Sequence, residues 1–278
     1  DKEPQDDYEA GLQKTIRAQY DEHVAAGNTW LFDSAELHML QTYMDGDYVG
    51  NPALIEKLCS TAPETYYWME DLGLEWKNEV EIVVGALWRR SHGAANYKSG
   101  IGFIEIFTGN IAENGYPVQF LYEVRGEEIL MEDGRAVGVR AVSTVDGTPY
   151  ILKADKGVVI ATGGFSANVE MREKYNTVWE YLGETIPTTN SPAITGDGIV
   201  MAEAVGANLV GMGYIQLAPI GDPITGTPSM MIGTSTNLMV NKEGVRFVNE
   251  TERRDVIAGA ELEQTDGQMW LISDSRNV

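Results

Sequence analysis

The feature that most constrains this chain is a glycine turn between an apolar run and a helix start. Residues 157–165 read Gly-Val-Val-Ile-Ala-Thr-Gly-Gly-Phe, and Val158–Ala161 has the continuous apolar character of a strand buried on both faces. A second turn, Thr-Gly-Asp-Gly, ends at Gly198. Because glycine has no Cβ, such turns let the backbone approach a dinucleotide closely. The sequence therefore predicts a dinucleotide site, although the 278 residues contain no Gly-x-Gly-x-x-Gly.

Composition excludes several classes of function. A chain of 278 residues that is 43% apolar can bury a core, and it contains no apolar run long enough to span a membrane. A net charge of −22 argues against binding to nucleic acid or to anionic membrane surfaces. One cysteine, expected to lie buried in a helix, and three scattered histidines offer no disulfide and no metal site. We expect a soluble protein, cytoplasmic or periplasmic.

The first third of the chain has helical periodicity. Residues 7–26 have apolar residues at helical spacing, and Asn51-Pro52 is typical of a helix start. Pro63 is expected to divide the next helix in two, because proline interrupts the hydrogen-bond ladder. The aromatic group Tyr66, Tyr67 and Trp68 is expected in the core, and His92 in a polar loop.

Further along, the apolar period changes to two. Strands are predicted at residues 118–122, 127–131, 136–144 and 149–154, with Asp-Gly hairpin turns at 133–134 and 146–147. Helices are predicted at 168–175, 196–205 and 254–264, a long loop at 211–236, a hairpin joining 238–240 to 246–248, and a last strand at 270–273. The fold class is therefore mixed α/β, with an antiparallel β-meander.

An ordered set of motifs resembles one family. The turn at residues 161–165 is followed by Met-Arg-x-x-Tyr ending at Tyr175, Thr-Gly-Asp-Gly, Tyr-Ile-Gln at 214–216, Asn-Lys-Glu-Gly ending at Gly244, and Arg-Phe-Val-Asn-Glu at 246–250. The order is similar to that of the flavoprotein family of soluble fumarate reductases, urocanate reductases and 3-ketosteroid dehydrogenases. The resemblance implies non-covalently bound FAD, a partial FAD-binding domain over residues 1–214 and the start of a capping domain over 215–278.

The resemblance also implies cofactor-binding residues. Ala161, Thr162 and Gly163 match the family's turn beside FAD, and Asp197 matches its flavin-contacting aspartate. A simple helix cap is the alternative role for Asp197. Gly126 matches a strand that passes near the adenine, although a lone glycine in a strand is equally typical of a bulge.

Arg254 matches the family's active-site acid. The implied chemistry is transfer of a hydride from reduced flavin to one alkene carbon and of a proton to its neighbour. An arginine can also bind a substrate carboxylate through two hydrogen bonds. The alternative is an ordinary ion pair of Arg254 with Asp255 or Glu250.

Two departures argue against fumarate as the substrate. Where true fumarate reductases carry a histidine, this chain has Ala218, and Ser229, Met230 and Gly233 align with their proton relay. A methionine and a glycine cannot shuttle protons. We expect a larger, less anionic unsaturated acid, enone or amino-acid-like compound beside Ala218, Ser229 and Met230.

The phosphate-binding fingerprint and the family's last active-site segment are both missing from the sequence. We therefore expect the chain to be the interior of a longer enzyme, to bind FAD poorly as given and to be inactive. A haem or FMN module would deliver electrons. The alternatives are a flavin-free ligand-binding module and a 3-ketosteroid-type dehydrogenase.

Overall fold

The computed structural model describes residues 2–83, 85–98, 100–222, 224–226 and 237–273. The chain is mixed α/β, as predicted, and separates into two compact units. The first comprises Asp1–Ile82 and Leu87–Val118, and the second comprises Val83–Ala86 and Gln119–Val278. The predicted boundary between residues 214 and 215 concerns functional domains and stays a prediction.

The first unit is mainly helical. Its elements are α1 (Asp7–Ala25), α2 (Ala35–Asp45), α3 (Pro52–Asp71), β1 (Trp76–Glu81), β2 (Ser91–Ala94) and α4 (Ile101–Glu113). Asp6, Ser34 and Asn51 cap the first three helices, each accepting a backbone N–H with its side chain. Cys59 is buried, as predicted, at 2% exposure in the core. Burial raises the pKa of its thiol, so the thiol is not a reactive one.

The expected break at Pro63 is wrong, since α3 continues through this proline as one helix. Ile55 and Cys59 before it and Met69 after it are buried on one side of the helix. This burial holds both halves in line and offsets the loss of one backbone hydrogen bond.

The aromatic group and His92 also differ from expectation. Tyr67 and Trp68 are exposed rather than in the core, while Tyr66 is half-buried and stacks on Trp76 with ring centroids 4.8 Å apart. His92 lies in β2 opposite Val80, not in a loop. Its ring meets Tyr66 edge-on at 5.0 Å. Strands as short and polar as β1 and β2 have little periodic signal, so the sequence did not predict them.

The second unit contains the predicted antiparallel meander, formed by β3 (Val124–Glu132), β4 (Arg135–Ser143) and β5 (Pro149–Lys153). Asp133 and Gly134, with φ of 49° and 77°, form the tight turn between β3 and β4. The strand predicted at residues 118–122 is absent, since these residues form irregular structure.

The other elements of this unit are α5 (Val169–Tyr175), α6 (Asp197–Ala204), β6 (Asn237–Val240), α7 (Arg254–Leu262), a 3₁₀ turn (Thr265–Gly267) and β7 (Trp270–Ser273). β6 pairs with β7, and the hairpin predicted for residues 238–248 is reduced to one bridge between Val240 and Arg246. The Met239 N–H donates instead to the buried Glu250 carboxylate at 3.0 Å, which removes the amide from further pairing.

The strand predicted at Val158–Ala161 is also absent. Val159 is 90% exposed, and no backbone hydrogen bond joins Gly157–Gly164 to another described residue. A strand buried on both faces needs a neighbouring strand on each side. The described strands form three small antiparallel sheets, none of which reaches this segment.

Candidate functional site

The two glycine turns lie against each other. A Cβ on Gly198, in the first turn of α6, would stand 2.1 Å from Thr162 Oγ1 and 2.7 Å from Ile160 Cγ2. Real Cβ contacts are essentially never shorter than 3.0 Å, so only glycine fits at this approach. The structure thus brings the Thr162 turn to the start of α6, where Asp197 lies.

Asn168 holds the two turns in register. Its side-chain amide donates to the Thr195 carbonyl at 3.0 Å, while its Oδ1 accepts from the Met171 N–H and caps α5. The Ala167 N–H donates to the Ile194 carbonyl at 2.9 Å. The start of α5 is therefore fixed to the loop that carries Asp197.

Asp197 is the first residue of α6 and is exposed. Its Oδ1 accepts from the Thr195 hydroxyl at 2.9 Å, and the helix cap is Gly196, with no side-chain cap. Asp197 is therefore not the N-cap itself, although an acidic side chain in the first turn still suits the positive end of the helix dipole. Oδ2 makes no hydrogen bond within the described residues, so it can accept one from a ligand.

Backbone polar groups are open along the Thr162 turn. Ala161, Thr162, Gly163 and Gly164 are exposed, and Gly163 has φ of +73°, a conformation that favours glycine. A Cβ on Gly164 would enter open space. Free N–H groups on an accessible, glycine-lined backbone suit a ligand with several acceptor atoms.

Gly126 lies in β3 and contacts α6. A Cβ there would stand 3.5 Å from Met201 Cε, on α6, and 3.5 Å from Val139 Cγ1. The register of β3 and β4 shifts between Gly126 and Glu128, as the bulge alternative predicts. Gly126 and Asp197 are thus linked through the same helix.

Arg254 begins α7, and its side chain is exposed. Neither predicted ion pair forms, because Asp255 pairs with Arg253 at 2.6 Å and Glu250 pairs with Arg246 at 2.6 Å. Within the described chain, the Arg254 guanidinium has no hydrogen-bond or ion-pair partner. A guanidinium free of internal carboxylates can bind one from outside.

The Arg246–Glu250 pair supports the segment that leads into α7. Hydrogen bonds from Arg246, together with the bond from the Met239 N–H, lower the pKa of the Glu250 carboxyl to about 2. Burial opposes this shift, but the bonds to the charged form prevail.

The predicted substrate residues are only partly visible. Ala218 is half-buried in the turn before Pro219, and its carbonyl accepts from the Ile220 N–H at 2.8 Å. Ser229, Met230 and Gly233 lie outside the described residues. No described contact joins Ala218 to Arg254 or to the Thr162 turn.

Trp179 is a residue that the sequence analysis did not single out. Its indole N–H donates to the Ile215 carbonyl at 2.7 Å, and a Cβ on Gly259 of α7 would stand 3.8 Å from its ring. Trp179 therefore links the loop after α5 to the helix that Arg254 begins. The one sequence feature that could have pointed to Trp179 is a tryptophan in a segment otherwise expected to be a loop.

The described residues offer neither a metal site nor a membrane-spanning helix. They contain no group of histidine, cysteine or acidic side chains that could hold a metal ion. No helix in the described part of the chain is long and apolar enough to cross a bilayer.

Comparison with known proteins identifies the family. The sequence profile described as an FAD binding domain matches residues 22–275. The chain belongs to this FAD-binding family. The predicted cofactor, FAD, and the predicted relationship to fumarate reductase flavoproteins are thereby confirmed.

Similar proteins include NADH:acrylate oxidoreductase of Vibrio harveyi, which is 40% identical over 94% of this FAD-binding chain and 27% of its own length. Urocanate reductase of Eggerthella lenta is 36% identical over 90% of this chain and 42% of its own length. Among solved structures, the open conformation of a flavocytochrome c3 fumarate reductase superposes with a TM-score of 0.72 at 26% identity, covering 92% of this chain and 44% of that one. The chain thus spans less than half the length of each of these relatives.

Proposed function

We propose that this chain is part of an FAD-dependent oxidoreductase that reduces the activated C=C bond of an unsaturated carboxylic acid. Membership of the FAD-binding family supports FAD as the cofactor. Two similar proteins are named for acrylate and urocanate, which are both unsaturated acids. The observation that carries the proposal is the exposed Arg254 side chain, which has no partner within the described residues.

The Thr162 and Asp197 turns would hold the cofactor. The open N–H groups of Ala161, Thr162 and Gly163 would donate to it, and the free Oδ2 of Asp197 would accept from it. Gly126, which packs against Met201 of α6, would lie toward the adenine. When bound, FAD supplies the hydride that the reduction requires.

Arg254 would do two things. Its guanidinium would bind the substrate carboxylate in bidentate fashion, which orients the alkene. It would also deliver a proton to the carbon next to the one that receives the hydride. Donation leaves a neutral guanidine, so a nearby group must return a proton to Arg254 before the next turnover.

The substrate would carry fewer carboxylates than fumarate. Ala218 offers no imidazole to bind a second carboxylate, and it is already half-buried. Residues 215–278, with Arg254, would close over the substrate as a capping domain. A haem or FMN module would deliver electrons, as the name flavocytochrome suggests for one similar structure.

The test is Arg254→Ala in the full-length protein that contains this chain. We expect kcat/KM for acrylate or urocanate to fall by about 10²–10⁴-fold, while bound FAD per polypeptide stays unchanged. Arg140→Ala is the matched control, since this exposed arginine on β4 pairs only with surface carboxylates. It should keep the parent activity. Retained activity in Arg254→Ala would remove Arg254 from the site, and a colourless full-length protein would overturn the function.

A further inference from the structure

Gly226 makes a close contact with the backbone of a loop that lies much earlier in the sequence. A Cβ on Gly226 would stand 2.6 Å from the Thr188 carbonyl oxygen and 2.9 Å from Pro187 Cβ. Both distances are below 3.0 Å, and neither atom is the far end of a flexible side chain. Gly226 is also buried and has φ of +70°, which favours glycine. Only glycine therefore fits at this approach.

The loop before Thr188 is fixed by a buried arginine. Arg172, on α5, is 6% exposed. Its guanidinium donates to the Ile186 carbonyl at 2.8 Å and to the Gly183 carbonyl at 3.2 Å. A planar guanidinium holds two acceptors in a fixed geometry, and breaking these bonds would leave buried polar groups without partners. The stretch that leads to Thr188 therefore cannot shift easily.

The loop after Thr188 reaches the cofactor turn. The Thr188 hydroxyl accepts from the Asn190 N–H at 3.1 Å, and the Asn190 side-chain amide donates to Ser166 Oγ at 3.1 Å. Ser166 directly follows the turn at residues 161–165. The loop thus joins the contact at Gly226 to the turn that would hold FAD.

On the other side of the contact, Gly226 lies eight residues after Ala218, a predicted substrate residue. The Gly226 N–H donates to the Asp222 carbonyl at 2.9 Å. Asp222 Oδ1 accepts from the N–H groups of Ile224 and Thr225 at 3.0 and 2.8 Å. These bonds tie Gly226 into a turn, so it cannot yield to a clash by itself.

We propose that Gly226 is a positioning residue that sets how closely the substrate side of the site approaches the flavin side. Residues 215–278 would close over the substrate, and Gly226 is a point at which this part meets the loop that runs to the Thr162 turn. A methyl group at this contact would hold the two sides apart. This proposal rests on the function proposed above.

The chain offers a matched control. Gly244 also lies within residues 215–278 and has φ of +76°, but a Cβ there would meet no atom within 4 Å. Gly226→Ala and Gly244→Ala therefore carry similar backbone strain. They differ in the contact with Thr188, where the new methyl would stand 3.4 − 2.6, or 0.8 Å, inside ordinary contact distance.

The full-length flavoprotein and both variants are reduced anaerobically and mixed with acrylate, urocanate or ferricyanide, while the oxidised flavin spectrum returns. An unsaturated acid takes up a hydride and a proton and must be placed correctly, whereas two ferricyanide ions each take one electron. Because misplacing a reacting group by about 1 Å can cost about a hundredfold, Gly226→Ala should react with the acid that the parent reduces faster at least about tenfold more slowly. Its rate with ferricyanide and its bound FAD should equal those of the parent. Gly244→Ala should match the parent throughout.

Asn190→Ala is a second variant, which removes the bond to Ser166 without adding an atom. It should slow the reaction with the acid less than Gly226→Ala does and leave the reaction with ferricyanide unchanged. If Gly226→Ala gives no folded flavoprotein, Asn190→Ala decides, and a parental rate with the acid would then overturn the proposal.

The remaining outcomes separate the two proposals. Equal rates with the acid in Gly226→Ala and Gly244→Ala would overturn the role of Gly226 and leave the proposed function standing. An equal loss with the acid and with ferricyanide would show general damage to the flavin site, and would also overturn that role. A parent flavin that ferricyanide oxidises but neither acid does would overturn both.

Discussion

Gly198→Ala tests the packing of the two glycine turns. The added methyl would stand 2.1 Å from Thr162 Oγ1, whereas ordinary contact begins at 3.4 Å. The difference, 3.4 − 2.1, requires a displacement of 1.3 Å at this atom pair. Ile160 Cγ2, at 2.7 Å, obstructs the methyl as well.

Neither obstructing atom lies at the end of a long side chain, so the Thr162 turn must move away from α6. Overpacking of this kind costs about 1–3 kcal/mol. If the displacement falls on the cofactor site, FAD affinity decreases by about fivefold to a hundredfold, since about 1.4 kcal/mol is tenfold. The Asp197 carboxylate and the Thr162 backbone would no longer stand at their native separation.

The assay is titration of full-length apoprotein with FAD, followed by quenching of flavin fluorescence. Gly157→Ala is the control, because it lies in the same exposed segment and its Cβ would meet nothing within 4 Å. It should bind FAD as the parent does. Equal dissociation constants for Gly198→Ala and Gly157→Ala would show that the Thr162–Gly198 contact does not shape the cofactor site.

Three further predictions concern stability, each measured by denaturant unfolding of the full-length protein. Arg246 lowers the pKa of Glu250 from 4.5 to about 2, so this pair stabilises the fold above pH 4.5 and loses its effect as pH falls toward 2. Because the Arg246 side chain is 56% exposed, we expect Glu250→Gln to cost about 1–3 kcal/mol at pH 7 and nearly nothing near pH 2. An equal loss at both values would contradict the ion pair. Burial raises the pKa of Glu261 from 4.5 to about 7, so its ionisation destabilises the fold as pH rises through that interval. Glu261→Gln should therefore be more stable than the parent at pH 8 and equal to it at pH 4, whereas Glu263→Gln, at an exposed position, should change neither. Gly109→Ala, inside α4 with no atom within 4 Å of the new methyl, should stabilise by about 0.5–1 kcal/mol. Destabilisation there would mean that another part of the protein occupies this face.

The sequence correctly predicted the secondary-structure elements that are determined by residues close to one another in the chain. Caps at Asn51 and Asn168 and the Asp133-Gly134 turn act within a few residues, so the helices and the meander were predicted well. Pro63 and Val158–Ala161 were not, because their outcome depends on distant partners. Burial of the α3 face overrides the proline, and no described strand pairs with the apolar run.

In the candidate site, too, features with local causes could be predicted from the sequence, whereas those that depend on distant partners could not. Motif order led to Thr162, Asp197 and Arg254, and the structure brings the first two turns together through Gly198 and Asn168. It also shows that the acids nearest to Arg254 are paired elsewhere.

The most direct test of the proposed function follows the oxidation state of the bound flavin. The full-length protein is reduced anaerobically and mixed with acrylate, urocanate or fumarate, while the visible flavin absorption is recorded. An unsaturated acid with one carboxylate should restore the oxidised spectrum, with one saturated acid formed per flavin, and fumarate should act far more slowly. A spectrum that none of these acids restores, or one that fumarate restores fastest, would contradict the proposed function.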